Sequence, residues 1–363
     1  MTPSLSYTDN HFFHIPKVDL HRHLEGSIRL STIAELAHTG QVDLPTELSK
    51  LRPLVQICPG ESRSSAQFLS KFRPIRKLFI SPEYIQRVVR EVVQDAAADH
   101  VQYLELRFTP AAFAHARSFS YEDVFQWVLE AGMEQARQSG IKLGFLASIN
   151  RHESRAIAED VARLAVDFQD EGIVGLCLAG DEAGYSGKPF VGLFREASEA
   201  GLGLSIHAGE WAGAESVKEA IVDFGARRIG HGLRILEDAY VLAMANEREI
   251  VFEVCMTSNI DSGIVPDVVS HPLREMIESG LRITLNSDDP TICRTTLSRE
   301  LTLAYVDQRL SEGILHRLML RAADSAFMPR RARSMLKRDI QAGIAAAMPV
   351  APSLAPMMYS FAE

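Results

Sequence analysis

The chain has 363 residues, 46% of them hydrophobic and 23% charged, a balance typical of a folded globular protein that excludes a largely disordered or fibrous one. Its formal net charge of −9, with the basic residues scattered, argues against partners such as nucleic acid or an anionic membrane. The four cysteines lie far apart, no apolar run is long enough to span a bilayer, and residues 1–14 do not resemble a secretory leader, so we expect a cytoplasmic protein.

Short β-rich apolar runs alternate with longer segments of helical periodicity, which predicts repeated strand–helix units and a parallel sheet. Eight such runs fit a (β/α)₈ TIM barrel, of the α/β class, better than an open doubly wound sheet, which typically uses five or six strands. The predicted strands are 17–21, 101–108, 142–150, 173–179, 202–207, 227–229, 250–255 and 281–286.

Helical candidates lie between these strands, and several end at a glycine, as helices commonly do. These helices are predicted over 83–99, 121–139, 155–171, 191–200, 214–224, 238–246 and 272–279, with Gly140, Gly172, Gly201, Gly225 and Gly280 at ends.

Two additions extend the predicted barrel. A helical insertion follows the first strand, over about 24–100, and three further helices follow the eighth strand, over 297–308, 313–326 and 331–345. We therefore expect one domain over 1–345, and a loosely attached tail over 346–363 because this stretch contains Pro349, Pro352 and Pro356.

Two histidines stand at the end of the first predicted strand. His21 and His23 are two residues apart, and alternate strand residues project from the same face, so both imidazoles can approach one metal ion. An isolated pair of this kind more often packs or forms hydrogen bonds within a core.

Three further polar clusters follow other predicted strands and change that balance. They are the segments 207–210 (HAGE), 230–232 (GHG) and 287–290 (SDDP), after the fifth, sixth and eighth strands. The carboxyl ends of barrel strands form one mouth, where active sites are assembled, so these side chains are predicted to converge. Imidazoles with a carboxylate and no thiolate suit Zn²⁺ first, with Fe²⁺, Co²⁺ or Mn²⁺ as alternatives. A metal with an open position for water indicates hydrolysis.

Six segments occur in one order between about residues 15 and 330: 17–27 (KVDLHRHLEGS), 178–182 (LAGDE), 207–210 (HAGE), 230–232 (GHG), 257–259 (TSN) and 285–290 (LNSDDP). Together they resemble the adenosine deaminase family, and most of all its bacterial members. The resemblance implies a (β/α)₈ barrel with one zinc ion and a hydrolase that acts on cyclic amidine C–N bonds. The implied metal ligands are His21, His23, His207 and Asp288.

The resemblance also implies roles for the remaining polar residues. Glu210 would transfer protons, and His231 would orient or deprotonate the metal-bound water. The backbone N–H of Gly180 and the carboxyl group of Asp289 would hold the purine ring nitrogens. The implied reaction is attack of metal-bound hydroxide at purine C6, which converts adenosine, and 2′-deoxyadenosine as well, to the inosine product and ammonia.

The substrate contacts are less fully determined by the pattern. Many family members have Asp where Glu25 stands, at a position associated with the ribose hydroxyl, and the longer side chain could accommodate another 5′ substituent. Phe68, Leu69 and Phe72 have helical spacing and resemble the family's cover over the nucleoside, although such a stripe equally fits simple packing under a surface helix.

Two other hypotheses stand beside adenosine deamination. Glu25 leaves open a deaminase of adenine or of a 5′-modified adenine nucleoside. A catalytically silent barrel that binds a nucleoside is the third, and it is disfavoured because inactivation usually deletes a ligand or the proton donor, both of which are present here. The expected partner is a small purine nucleoside, and the sequence makes no prediction of an oligomeric state.

Overall fold

The computed structural model describes residues 11–347, and within them the chain folds as the predicted (β/α)₈ TIM barrel. Eight parallel strands form one sheet in sequence order, and helices connect each strand to the next along the outside. The strands are β1 (Lys17–His23), β2 (Val101–Phe108), β3 (Lys142–Asn150), β4 (Ile173–Ala179), β5 (Gly203–Ala208), β6 (Arg228–His231), β7 (Val251–Val254) and β8 (Arg282–Leu285).

The helices confirm most of the predicted positions to within one or two residues. Serine side chains cap several of them, as where Ser120 accepts the Asp123 N–H at the start of the helix over 121–139. That helix ends at Gly140, whose φ of 71° is a conformation that glycine adopts without steric cost. The α-helices are α1 (Leu30–Thr39), α2 (Leu48–Val55), α3 (Ser65–Ser70), α4 (Phe72–Arg76), α5 (Pro82–Ala98), α6 (Pro110–Ala114), α7 (Tyr121–Ser139), α8 (Arg155–Asp167), α9 (Val191–Glu199), α10 (Ala214–Val222), α11 (Ala239–Glu247), α12 (Met256–Asp261), α13 (Leu273–Glu278), α14 (Pro290–Cys293), α15 (Leu297–Val306), α16 (Glu312–Ser325) and α17 (Arg330–Ala347).

Three boundaries differ from prediction for identifiable reasons. The helix predicted over 155–171 ends at Asp167, because the backbone at Phe168 leaves the α-helical conformation (φ −96°, ψ 17°), and a short 3₁₀ turn follows. The segment 65–72, which carries Phe68, Leu69 and Phe72 at helical spacing, divides between two helices, α3 and α4. Pro74 lacks the N–H that would continue the hydrogen bonding of α3. The last helix continues to Ala347, and the rest of the predicted tail lies outside the described residues.

The barrel closes between β8 and β1 through a short, irregular seam. The Asp288 N–H donates to the carbonyl of His21 (2.8 Å), and the His23 N–H donates to the carbonyl of Asp288 (2.8 Å). Next to this pair of hydrogen bonds, the buried side chain of Asn286 accepts the Leu20 N–H through Oδ1 at 3.0 Å. The seam therefore joins the end of β1 to the residues just after β8, and it brings His21 and His23 beside Asp288.

The insertion and the carboxyl-terminal helices flank this framework. Between β1 and β2 the chain forms α1 to α5, of which α3 and α4 lie over the barrel mouth, where Phe68 is buried. After β8, α16 packs against β8 and β1, and α17 packs on α16. Within residues 11–347 no helix combines the length and the apolar run needed to cross a bilayer.

The seam predicts a stability effect for Asn286→Ala. The substitution leaves the buried Leu20 N–H without an acceptor, so we expect the free energy of unfolding to fall by about 1–3 kcal/mol. Urea denaturation followed by circular dichroism measures this change. Gln126→Ala, on the exposed face of α7, is the control and should leave stability nearly unchanged; equal stability of the two variants would contradict the role of Asn286 in the seam.

Candidate functional site

The orientation of two buried imidazoles is set by hydrogen bonds to their Nδ1 atoms. Nδ1 of His21 donates to the carboxylate of Glu253 (2.8 Å), and Nδ1 of His207 donates to the carbonyl oxygen of Leu178 (2.9 Å). Because both partners can only accept, Nδ1 of each ring carries a proton, and Nε2 points away from these partners. Both Nε2 atoms face the barrel mouth.

Glu253 belongs to a charged layer inside the barrel that the sequence analysis did not predict. It forms ion pairs with Arg107 and Arg228, and Arg228 also pairs with Glu105. Although burial would raise it, the charges of the two arginines hold the pKa of the Glu253 carboxyl well below its usual range. The signal was available, since Glu105 and Arg107 alternate within an otherwise apolar strand.

Four of the predicted residues form a compact cluster above this layer. Oδ1 of Asp288 lies 3.4 Å from Nε2 of His21 and 3.5 Å from Nε2 of His23. Nε2 of His23 lies 3.3 Å from Nε2 of His207. The structure therefore brings His21, His23, His207 and Asp288 to one point, on residues contributed by β1, β5 and the end of β8.

The chemistry of this cluster fits a cation. Burial holds the pKa values of His23 and His207 well below their usual range, so both rings are neutral. Nε2 of His21 is buried and has no hydrogen-bond partner among the described residues. Bare imidazole nitrogens that face one another and one carboxylate oxygen leave lone pairs that a divalent metal ion would satisfy.

His231 and Asp288 are held in an unusual backbone conformation. Their φ angles are 61° and 57°, which cost free energy for residues with a side chain and are found where the surrounding structure enforces them. Hydrogen bonds from β1 enforce the conformation of Asp288. His231 is followed by Gly232, also with positive φ, and is the last residue of β6 rather than part of the loop after it.

A chain of hydrogen bonds behind His231 determines which of its ring nitrogens carries the proton. The Leu273 N–H donates to Nδ1 of His271 (3.1 Å), so the His271 proton is on Nε2, which donates to Oδ1 of Asn259 (3.2 Å). The amide NH₂ of Asn259 then donates to Nδ1 of His231 at 3.0 Å. Burial lowers the pKa of both histidines to about 3, so both are neutral and Nε2 of His231 carries a proton. That Nε2 lies 3.7 Å from Oε1 of Glu210.

Glu210 occupies a turn that another carboxylate organises. The side chain of Glu182 accepts the backbone N–H groups of Gly209 (2.7 Å), Glu210 (2.9 Å), Trp211 (2.7 Å) and Ala212 (3.1 Å). Burial, with the charges of Asp288 and Glu182, raises the pKa of Glu210 well above its ordinary value, which favours the protonated form of its carboxyl group. Glu182 lies in the motif 178–182, but it was not among the predicted site residues.

Two more predicted carboxyl groups face the same space. Burial and the neighbouring Asp288 charge raise the pKa of Asp289 well above normal. Oδ1 of Asp289 passes so close to Gly26 that a Cβ there would overlap it (1.6 Å), so only glycine fits at this position. Glu25 accepts the Thr109 N–H through Oε1 (3.0 Å), while its buried Oε2 has no partner among the described residues.

The predicted site residues line one small chamber, except His21, which lies just beneath it. Phe68, Leu69 and Phe72 form the cover, and Gly180 also borders the chamber. The chamber has a volume of about 60 Å³, room for a few water molecules, so a larger ligand requires the cover to move. The lining residues absent from the prediction are Arg76, Thr109, Asn150, Ala179 and Trp211.

One thiol also approaches the cluster. Cys255 offers Sγ within 4.8 Å of ligand atoms of His231 and Asp288. Burial raises the pKa of this thiol well above its ordinary value, and Sγ donates to the carbonyl oxygen of Glu253 at 3.6 Å. A protonated, engaged thiol is a poor metal ligand, so the cluster remains one of imidazoles and a carboxylate.

A barrel with buried imidazoles and carboxylates gathered at the carboxyl ends of its strands has the features of the metal-dependent hydrolases. A model of the adenosine deaminase family matches residues 16–343. The adenosine deaminase of Escherichia coli is 33% identical over 329 residues, which cover 90% of this chain and 98% of the relative. The chain belongs to the adenosine deaminase family and is a deaminase, as the sequence motifs predicted.

Two solved structures have the same fold over nearly their whole length. The adenine deaminase of Arthrobacter aurescens has 25% identity and a TM-score of 0.84, covering 91% of this chain and 99% of its own. Arabidopsis ADAL in complex with IMP has 25% identity and a TM-score of 0.82, covering 95% and 100%. The first of these proteins is thus an adenine deaminase, and the second binds IMP.

The hydrogen-bond direction behind His231 predicts the effect of Asn259→Asp. A carboxylate accepts from both histidines, so the proton of His231 moves to Nδ1 and Nε2 becomes an acceptor. We expect deaminase turnover to fall on the order of a hundredfold with the fold retained, measured by ammonia release and circular dichroism. Asn246→Asp, at the far end of the barrel, is the matched control; equal turnover of both variants would contradict this direction.

Proposed function

We propose that the protein hydrolyses adenosine and 2′-deoxyadenosine to the corresponding inosine and ammonia, with Zn²⁺ as its metal. The observation that carries this proposal is the convergence on one chamber of a four-residue cation cluster and two buried carboxyl groups with raised pKa values, Glu210 and Asp289. Such a chamber offers both an electrophilic centre and proton donors, which hydrolytic deamination of a 6-aminopurine requires.

In this proposal His21, His23, His207 and Asp288 hold the metal. Three neutral imidazoles and one carboxylate are a donor set that suits Zn²⁺. When bound, the ion supplies the positive charge that activates water for attack at neutral pH. Glu253 and the carbonyl of Leu178 contribute by keeping the Nε2 atoms of His21 and His207 directed at the ion.

Glu210 moves the protons. Attack of water at C6 pushes electrons onto N1, and protonated Glu210 donates a proton to N1, which neutralises the developing charge. The resulting carboxylate accepts the two protons of the attacking water in turn, passing the first to the departing amine and keeping the second. Ammonia leaves, C6 retains the oxygen, and Glu210 regains its starting form.

The other polar residues hold the reactants in place. Nε2 of His231, which carries a proton, donates a hydrogen bond and thereby orients the attacking water, so we propose orientation rather than deprotonation for this residue. Protonated Asp289 donates to N7, and the Gly180 N–H contacts another ring nitrogen. Phe68, Leu69 and Phe72 exclude bulk water above the ring.

Glu25 supports a second candidate, a deaminase of adenine or of a 5′-modified adenine nucleoside. One oxygen of Glu25 is held by the Thr109 N–H, and the other is available in the chamber. Burial raises the pKa of this carboxyl group, which favours the protonated form that donates a hydrogen bond. It would therefore contact either a ribose hydroxyl or the part of adenine that carries the sugar in nucleosides.

Two wider features belong to the same proposal. We propose that residues 1–345 form one domain because, within the described residues, the inserted helices and the last helices pack on one barrel core. The protein works in the cytoplasm, whose reducing conditions suit its four free cysteines.

The proposal is tested with a substrate panel. We expect the zinc-loaded protein to deaminate adenosine and 2′-deoxyadenosine faster than adenine, measured by loss of the 6-aminopurine absorbance. Chelation should abolish turnover and added Zn²⁺ should restore it. Ready turnover of adenine with none of adenosine would instead favour the second candidate.

Glu210→Gln tests the proton-transfer role. An amide cannot cycle a proton, so we expect kcat to fall by about 10²–10⁴-fold with zinc content unchanged by metal analysis. Glu215→Gln, an exposed residue of α10, is the matched control and should retain the original kcat. A near-normal rate for Glu210→Gln would remove Glu210 from the mechanism.

A further inference from the structure

A large cavity adjoins the chamber on its outer side. Its volume is about 810 Å³, within the range of small-molecule sites. Its walls come from the end of α1, the helices α3 and α4, the loop after α6, and the loops after β3 and β4. These segments are separate in sequence, so the cavity is a product of the fold.

The cavity concentrates positive charge in an acidic protein. Its walls carry four Lys and Arg residues against one carboxylate, Asp181, whereas the whole chain has a net charge of −9. Two histidines, His115 and His152, add further N–H donors. The four basic residues are Arg73, Arg76, Lys77 and Arg117.

Few carboxylates of the described residues pair with these basic side chains. Among the described residues, no carboxylate lies within ion-pair distance of Arg73, Arg76 or Arg117, and Lys77 only approaches the fully exposed Asp43, at 3.9 Å. Oδ1 of Asp181 is occupied by the Gly184 N–H at 3.0 Å. Like charges held together repel one another, which an anionic ligand would offset.

Basic side chains often lie together simply because one face of a helix is exposed to solvent. This explanation accounts for only part of the basic cluster in the cavity. Arg73, Arg76 and Lys77 do lie together on or next to α4. Arg117, however, comes from the loop after α6, outside the helical insertion, and lines the same cavity. Convergence of guanidinium groups from separate segments is typical of sites for phosphate or carboxylate.

The cavity and the chamber adjoin each other. Both are bordered by Leu69, Phe72, Arg76, Asn150 and Gly180. Arg76 is the charged member of this shared border, and its Nε is buried without a partner among the described residues. A nucleoside whose C6 faces Glu210 and His231 must direct its sugar away from them, and the cavity lies on the side of the chamber that these shared residues border.

We propose that this basic cavity binds an anionic group carried on the 5′ side of an adenine nucleoside. The proposal rests on the deaminase function above and narrows its substrate class to 5′-anionic adenine nucleosides, the anion being a phosphate or a carboxylate. Arg76 contacts the ligand at the junction, and Arg73, Arg117 and Lys77 surround its anionic end.

The test compares four substrates with the zinc-loaded full chain. They are adenosine, adenosine 5′-monophosphate, adenosine 5′-carboxylic acid, and 5′-methylthioadenosine as a neutral control for size. We expect kcat/KM to be higher for at least one anionic substrate than for both neutral ones, and to fall with rising salt only for the anionic substrates. Preference for the phosphate or for the carboxylate identifies the anion.

Substitutions test whether the preference for anionic substrates depends on this cavity. The double variant Arg73→Ala with Arg117→Ala should lower kcat/KM for the anionic substrate on the order of tenfold or more, and far more than for adenosine. Arg137→Ala, an exposed arginine at the end of α7 that leads into the opposite face of the barrel, is the control and should change neither rate.

The outcomes separate this proposal from the proposed function. Turnover of adenosine alone, or an equal effect of the double variant on all four substrates, would overturn the anion site and leave the deaminase proposal intact. Failure of every substrate would overturn the deaminase proposal. In that case calorimetric titration with adenosine 5′-monophosphate decides the cavity: binding to the original protein but not to the double variant supports the anion site, and absence of binding overturns it.

Discussion

The site depends on one buried carboxylate, Glu253 of β7. It binds Nδ1 of His21 while it forms ion pairs with Arg107 and Arg228 inside the barrel. A buried carboxylate without partners costs several kcal/mol, so the two guanidinium groups are what allow it to remain ionised there. Because Glu253 accepts the His21 proton, the free nitrogen of that ring faces the mouth. The charged interior and the imidazole cluster are therefore one connected unit, and a change in either affects the other.

A second set of polar contacts holds Glu210 and His231, which line the chamber. The carboxylate of Glu182 accepts four successive backbone N–H groups and so fixes the turn that carries Glu210. Asn259 and His271 fix the ring of His231 from behind. Each of these side chains is thus oriented by a buried partner that does not line the chamber. Preorganised groups of this kind need little rearrangement when charge develops during the reaction.

The buried chamber and the outer cavity differ in the charge of their side chains. In the chamber, burial lowers the pKa of the His207 ring and, together with neighbouring carboxylate charges, raises the pKa values of Glu210 and Asp289, which favours the neutral forms and suits proton transfer to and from a neutral base. At the outer cavity, Arg76 is partly exposed, and the other three basic side chains are exposed to solvent. Burial and neighbouring charges thus separate a region suited to catalysis from one suited to binding an anion.

The sequence by itself determined the barrel, its strands to within one or two residues, and the residues that gather at its mouth. Hydrophobic periodicity reports which faces are buried, and the barrel rule brings the carboxyl ends of all strands together, so His21, His207 and Asp288 could be predicted as neighbours. Only the tertiary structure decided their partners. Glu253, Glu182 and His271 act across contacts between segments distant in the chain, and no local pattern specifies which carboxylate or amide will meet which ring. The basic cavity has the same origin: Arg76 and Arg117 appear as ordinary surface charges until folding turns them toward one space.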